Sequence, residues 1–299
     1  MNTRDLAYFS ALVELKNFTV VATHFNVSQP TITVAIQRLE SEFGAPLVQR
    51  DRAHNKLTIT RAGTLLYQRA QQILRDLDLA HSEVSRANQS TIQFGMPPII
   101  GTMWFPLIAS ELFSKGLLNY TQTTEVGSYQ LLKELEAGNI DVALLGSVRP
   151  LHEDNLDITL LAAHPFRAIV SKEHPLAGAG HISFEQLERD DFVTMTGKFV
   201  HPQALKAYSD FAGFTPKVVY STPTLSLIKG LVRANLGVSL LVDDAVQPSD
   251  GVVSLVLDDP LPERFNMSLV VRKRFLPNKI QQEFISTLSE LKAKVGKNV

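Results

Sequence analysis

Gln29, Thr33 and Gln37 stand four residues apart, flanked by Pro30, Thr31, Val34 and Arg38. On a helix that spacing makes one stripe, polar but almost uncharged. Amides and hydroxyls so arranged can pair with the edges of DNA bases, and Val34 or the Thr33 methyl can meet a thymine methyl. A helix face that is merely solvated carries Glu and Lys more often. Further on, residues 50–75 hold Arg50, Arg52, Lys56, Arg61, Arg69 and Arg75 against Asp51 alone. Residues 1–75 carry nine Lys/Arg against five Asp/Glu and the rest twenty against twenty-five, so the net charge of −1 hides a basic end on an acidic body. That asymmetry is the footprint of a polyanion partner, nucleic acid before membrane.

The stripe needs a helix held by its other face. Ile32, Ile36, Leu39 and Phe43 supply an apolar side, Ser28 an N-cap, Pro30 a first-turn residue, and Gly44 with Pro46 the stop. Before it, Leu6, Phe9 and Val13, with Leu12, mark a helix ending near Lys16. Asn17 caps a short helix over 18–25, and Asn26 suits the left-handed turn that follows. After it, 47–60 alternates as a two-stranded hairpin with a polar tip at Ala53–Asn55. Its Arg50, Arg52 and Lys56 suit phosphate or minor-groove contact. A small helical domain that binds protein is the competing interpretation of this segment.

Phe18-Thr19, Val27-Ser28-Gln29-Pro30, Leu39-Glu40, Leu47-x-x-Arg50 and Thr60-x-Ala62-Gly63 occur in order over the first 65 residues. In these the chain resembles the winged helix-turn-helix of LysR-type transcriptional regulators. The resemblance implies a helix-turn-helix at about 18–37, with Gln29, Pro30, Thr33 and Val34 facing bases and Arg50 and Arg52 on backbone or minor groove. Val48-Gln49 departs from the family's usual Phe after the Leu. A narrower likeness over residues 1–33, to regulators of malolactic fermentation, implies an organic acid such as malate as effector.

Thr60 caps a helix expected to reach Asn88, along which Leu66, Ala70, Ile73, Leu77, Ala80 and Val84 are spaced four, three, four, three, four. Such a seam calls for a partner helix, and a homodimer could then read dyad-symmetric double-stranded DNA. The alternative is a long amphipathic helix lying on its own domain. The family resemblance implies further pairing into a homotetramer, a dimer of dimers, and contact with RNA polymerase if the protein activates. Asn88-Gln89-Ser90 reads as a hinge.

An internal echo organises the rest. Residues 128–145 (SYQLLKELEAGNIDVALL) match 224–241 (TLSLIKGLVRANLGVSLL) at seven of eighteen positions. Each copy reads as a hydroxyl-capped helix, a turn around an Asn and a strand, preceded by strands and helices in the same order. That pattern means βαβ units, twice over. Two such lobes look like the type 2 periplasmic-binding-protein fold, as LysR-type effector domains do. Ligands in this arrangement sit at strand carboxyl ends facing helix N-termini. The cleft candidates are Pro98, Ile99, Gly101, Thr102 and Ser128 on one side and Thr196, Lys198, His201 and Thr222 on the other. The family often has Ser or Thr where Pro97 and Ile99 stand here, leaving Ser128 and Thr196 as the better matches. Lys198 and His201, as cations near helix N-termini, favour a small anionic effector.

The expected architecture is multi-domain α+β. A winged helix-turn-helix occupies 1–60 and a linker and dimerisation helix 61–88. A two-lobed α/β effector domain occupies 89–299, with lobe I about 91–162 and 267–299 and lobe II about 163–266. No enzyme is expected: G-x-S-x-G, Walker and H-E-x-x-H motifs are missing, and Asp243-Asp244 and Asp258-Asp259 read as solvated loop charges. With no cysteine and no helical histidine pair, neither a cofactor nor a metal is expected. Residues 1–9 are no secretory signal, and the most apolar stretch, 96–109, is too short to span a bilayer, so the expected compartment is the cytoplasm, with no membrane partner. The competing function is a solute-binding protein, or an enzyme, with a winged-helix assembly module.

Overall fold

A computed structural model describes residues 2–51, 56–87, 89–196 and 200–292. The chain divides into two compact units, Met1–Asn88 and Gln89–Val299.

In the first unit α1 (Thr3–Leu15), α2 (Phe18–His24) and α3 (Gln29–Phe43) are followed by β1 (Val48–Asp51), β2 (Lys56–Ile59) and α4 (Arg61–Arg86). Local chemistry sets most boundaries. Asn17 accepts from the N–H groups of Thr19 and Val20, Ser28 from Thr31, and Thr60 from Gly63. Asn26 and Gly44 take positive φ, 54° and 62°, where the chain turns. Leu6, Phe9, Leu12, Val21, Ile32, Ala35, Ile36 and Leu39 form the core. Phe43, expected inside, is 49% exposed, because the last turn of α3 runs past that core.

The antiparallel hairpin of β1 and β2 is fastened at its base. Glu40 Oε1 accepts from the N–H of Leu47 (2.8 Å) and of Val48 (3.3 Å), and Thr60 Oγ1 donates to the Pro46 carbonyl (2.7 Å). A Cβ on Gly63 would lie 2.2 Å from the Leu47 carbonyl oxygen, so only glycine permits this approach. The Leu39-Glu40 and Thr60-x-Ala62-Gly63 strings thus meet around one joint. On α4, Ala70 is buried in the unit's own core, with Leu66, Tyr67 and Leu74 packed beside it, and Tyr67 Oη donates to Glu14 (2.8 Å). Leu66 and Ala70 are therefore spent within the chain. Ile73 and Ala80, and Val84 at 76%, are exposed, and Leu77 is half-buried.

The second unit begins with β3 (Ile92–Met96), α5 (Pro98–Ser114), β4 (Thr121–Glu125), α6 (Ser128–Glu136), β5 (Val142–Ser147) and β6 (Leu156–His164). It continues through β7 (Phe166–Ser171), β8 (His181–Ile182), β9 (Asp191–Met195), α7 (Val200–Ala212), β10 (Lys217–Thr222), α8 (Leu225–Arg233), β11 (Ser239–Val242) and β12 (Val252–Leu257). The last elements are β13 (Phe265–Arg272) and α9 (Lys279–Glu290). Lobe I is a sheet of order β4-β3-β5-β13-β6, the first three parallel and β13 antiparallel to both neighbours. Lobe II pairs β11-β7-β12-β8 and β10-β9, linked by a parallel bridge between Phe192 and Val238 beside β11. The run β10-β9-β11-β7-β12 repeats lobe I strand for strand and sense for sense.

The chain changes lobes at Pro165 and returns through 258–264, so lobe I keeps β6 as far as His164 and regains the chain at Phe265. Those limits extend the expected 91–162 and 267–299 by two residues each. α9 returns to lobe I, where Phe284 meets Phe94 at 5.2 Å between ring centroids. The hydroxyl caps expected in the echo are absent. Gly127 is the N-cap of α6, and Thr224 caps α8 without a side-chain hydrogen bond.

Candidate nucleic-acid interface and inter-lobe pocket

Gln29, Pro30, Thr31, Val34, Gln37 and Arg38 are exposed along α3 and Thr33 is half-buried, while Ile32, Ala35, Ile36 and Leu39 fill the core behind them. The stripe is partly pre-ordered. Gln29 Nε2 donates to Thr33 Oγ1 (3.4 Å), Thr33 Oγ1 to the Gln29 carbonyl (3.3 Å), and the Ser28 and Thr31 hydroxyls are 2.9 Å apart. Arg38 has a second task. Its guanidinium makes two hydrogen bonds to buried Asp5 (2.6 and 3.2 Å), which raise its pKa and tie α3 to α1. The hairpin register pairs Arg50 with Leu57 and Asp51 with Lys56 at the end farther from α4. Arg52 lies outside the described residues.

A pocket in the second unit is lined by Pro97, Pro98, Ile99, Ser128, Gly146, Met195, Val200, His201 and Phe265. These belong to the carboxyl ends of β3, β5 and β9, the starts of α5, α6 and α7, and the first residue of β13. Both lobes and the return crossing therefore contribute. Of the expected cleft residues, Pro98, Ile99, Ser128 and His201 come together here. Gly101 sits beside the Glu125 carboxylate, and Thr102 is exposed. Thr196 and Thr222 join β9 to β10, the Thr196 N–H donating to the Thr222 carbonyl (3.1 Å), and Lys198 lies outside the described residues. Sequence reasoning missed Gly146, Met195, Val200 and Phe265. Gly146 and Met195 follow from the strand-end rule once β5 and β9 are placed, but Phe265 enters only through the return crossing. The pocket volume is about 10 Å³, room for roughly one water, and its walls are mainly apolar.

The polar groups in it are committed. Ser128 Oγ accepts from the Gly146 N–H (3.0 Å) instead of capping its own helix. His201 is buried, its Nε2 accepts from the Val242 N–H (3.3 Å), and burial lowers its pKa to about 4. The imidazole is thus neutral near pH 7 with its proton on Nδ1, which corrects the expectation of a cation. Behind the pocket, Trp104 of α5 stacks on Phe265 (5.8 Å) and lies 5.2 Å from fully buried His164. His164 Nδ1 is 3.2 Å from Asp244 of lobe II. Of the acidic pairs, Asp258 is exposed, as expected of a solvated loop charge, whereas Asp243, Asp244 and Asp259 are half-buried and hold contacts within the fold. Asp243 meets Arg167 (3.1 Å), Asp258 meets His181 (2.9 Å), and Asp259 accepts from the Phe184 N–H (2.9 Å). Among the described residues no group of three or more His, Cys, Asp or Glu could hold a metal ion, and no helix is long and apolar enough to cross a membrane.

Comparison with known proteins agrees with both halves. Residues 3–64 match the family model "Bacterial regulatory helix-turn-helix protein, lysR family", and residues 85–293 match "LysR substrate binding domain". The chain is 32% identical over 295 residues to the malolactic fermentation system transcriptional activator of Lactococcus lactis subsp. lactis (strain IL1403), covering 98% of this chain and 99% of the relative. It is 29% identical over 279 residues to the hydrogen peroxide-inducible genes activator of Dickeya chrysanthemi, covering 91% and 90%. In fold it is similar to the crystal structure of HinK, a LysR family regulator from Pseudomonas aeruginosa, with TM-score 0.56, 22% identity and coverage of 100% and 99%.

Proposed function

This chain belongs to the LysR family of bacterial DNA-binding transcription regulators, and on that footing we propose that paired copies read a dyad-symmetric operator through α3 while a small organic acid held between the lobes controls them. One observation carries the DNA half: Gln29, Thr33 and Gln37 form an outward, uncharged stripe on a helix clamped from behind by its core and by Asp5. A lone winged helix covers few base pairs, so pairing through Ile73, Leu77, Ala80 and Val84 multiplies affinity by adding a second half-site. Pairing of dimers into a tetramer, and contact with RNA polymerase during activation, complete the proposal. Its working compartment is then the cytoplasm, where the chromosome lies.

The starts of α5, α6 and α7 at the pocket support an acidic effector, because the first-turn N–H groups and helix dipoles favour negative charge. With His201 neutral, a carboxylate would rely on those backbone groups and Ser128 rather than on an imidazolium. The malolactic activator's name supports malate as the first compound to try. The other relative is called peroxide-inducible, but this chain has no cysteine, so no thiol can report an oxidant. A pocket with room for about one water must widen to admit a ligand, and a ligand preferring the wider state shifts the lobe equilibrium.

Operator binding by anisotropy tests the DNA half. Gln29→Ala with Thr33→Ala should cut discrimination between operator and random DNA by roughly 10- to 100-fold. Arg52→Ala should weaken binding to all sequences alike and lower the salt slope by about one. Full discrimination in the double variant would refute the assignment of α3. For the effector half, malate and related acids should raise the melting temperature, and Ser128→Ala should abolish that rise.

A further inference from the structure

Away from the inter-lobe pocket, lobe I carries a second cavity. Its volume is about 400 Å³, within the range of small-ligand sites, and it is lined by Pro150, Leu151, His152, Glu153, Asp154, Leu156, Ile158, Leu160 and Ser268. It arises from topology. α6 packs over the β5 side of the sheet, while the outer strands β13 and β6 are partly roofed by the loop 148–155. Leu156, Ile158 and Leu160 alternate along β6 onto one face and give the cavity an apolar floor.

Two features of this cavity go beyond packing. Ser268 is 1% exposed, and among the described residues its Oγ has no hydrogen-bond partner although it lines the cavity. A buried hydroxyl left unpaired is costly, and an apolar side chain of similar size would serve the sheet better. At the rim Glu153 and Asp154 are exposed. The cation bonded at this rim, Lys273, has Nζ donating to the Asp154 carbonyl (2.8 Å), not to a carboxylate. Beside Lys273 and His152 the rim carries two carboxylates, whereas among the described residues the lining of the inter-lobe pocket carries none.

We propose that this cavity is a second ligand site, selective for a small aromatic amine that also bears a hydroxyl. The ammonium lies at the Glu153–Asp154 rim, the ring on Leu156, Ile158 and Leu160, and the hydroxyl at Ser268 Oγ. The ligand class is thus opposite in charge to that of the inter-lobe pocket, and the site needs neither DNA nor that pocket to be occupied.

Tyramine is the probe, titrated calorimetrically into the full-length protein at low salt. Phenethylamine, which lacks the hydroxyl, should bind roughly five- to tenfold more weakly, and Ser268→Ala should reduce tyramine affinity by about the same factor while leaving phenethylamine unchanged. Glu153→Gln with Asp154→Asn should weaken both amines about fivefold, and added salt should do likewise. Three results would overturn the proposal. The first is equal affinity for 4-hydroxyphenylacetate, the anionic counterpart. The second is tyramine affinity untouched by Ser268→Ala. The third is affinity lost in Ser128→Ala but kept in Ser268→Ala, which would put the amine in the inter-lobe pocket. Ser268→Ala should fold normally, because it deletes only an unpaired group, and its melting curve verifies this.

Discussion

The helix α3 and the inter-lobe pocket are assembled in opposite ways. α3 owes its caps, its apolar side and its polar stripe to fifteen consecutive residues and the turns beside them. The pocket draws on seven elements and closes only when β13 brings Phe265 back across the lobes. A surface that must match a rigid duplex is best built beforehand from local parts. A site whose occupancy must be felt elsewhere is best built from parts that can separate.

The contrast is open to attack at several points. The largest expected effect is at the joint beneath α3. Gly63→Ala forces a Cβ into the Leu47 carbonyl, should cost roughly 3 kcal/mol or more, and should abolish operator binding along with the unit's melting transition. Next is acid sensitivity of the pocket. His201 has its pKa lowered to about 4, so the unfolded chain binds its proton first as pH falls from about 6.5. Its stabilising contribution is complete above that pH and is lost progressively down to about 4, on the order of 3 kcal/mol in all. Melting curves of the second unit should steepen their decline over that window, and His201→Gln should flatten it. A smaller effect is expected from Asp5→Ala, which frees Arg38 and removes the carboxylate that accepts from the Asn2 N–H, while the Asp5 N–H still donates to the Asn2 cap, at roughly 1–2 kcal/mol. Operator affinity should fall with stability there, whereas Gln29→Ala changes discrimination alone. Ser128→Ala should cost least, about 1 kcal/mol for the Gly146 N–H left unpaired. If Ser128→Ala were as damaging as Gly63→Ala, the pocket would be a rigid core and the comparison would fail.

The same division explains what could be read from the sequence. Asn17, Ser28 and Thr60 act as caps, and Asn26 and Gly44 take positive φ, because each is decided within three or four residues. The echo between 128–145 and 224–241 gave the two lobes, since matching strand order follows from matching βαβ units. Phe43 and Ala70 could not be placed that way, for helical spacing shows that a face is apolar but not what covers it. The echoed asparagines also differ. Asn235 takes φ 57°, while in the first copy the turn uses Gly138 at φ 74°. His201 reads as a cation by type, and its neutrality comes from Phe166, Phe265 and Val242, distant in sequence. Phe265 itself became a pocket wall through a crossing that no local pattern encodes.

Trp104 is the chain's one tryptophan, and it stacks on the ring that walls the pocket while lying beside His164 and, through it, Asp244 of the opposite lobe. The indole is therefore an optical gauge wired to the joint at which effector entry is proposed. Its emission should change colour and intensity as the lobes part, giving a label-free readout of occupancy from the unaltered polypeptide.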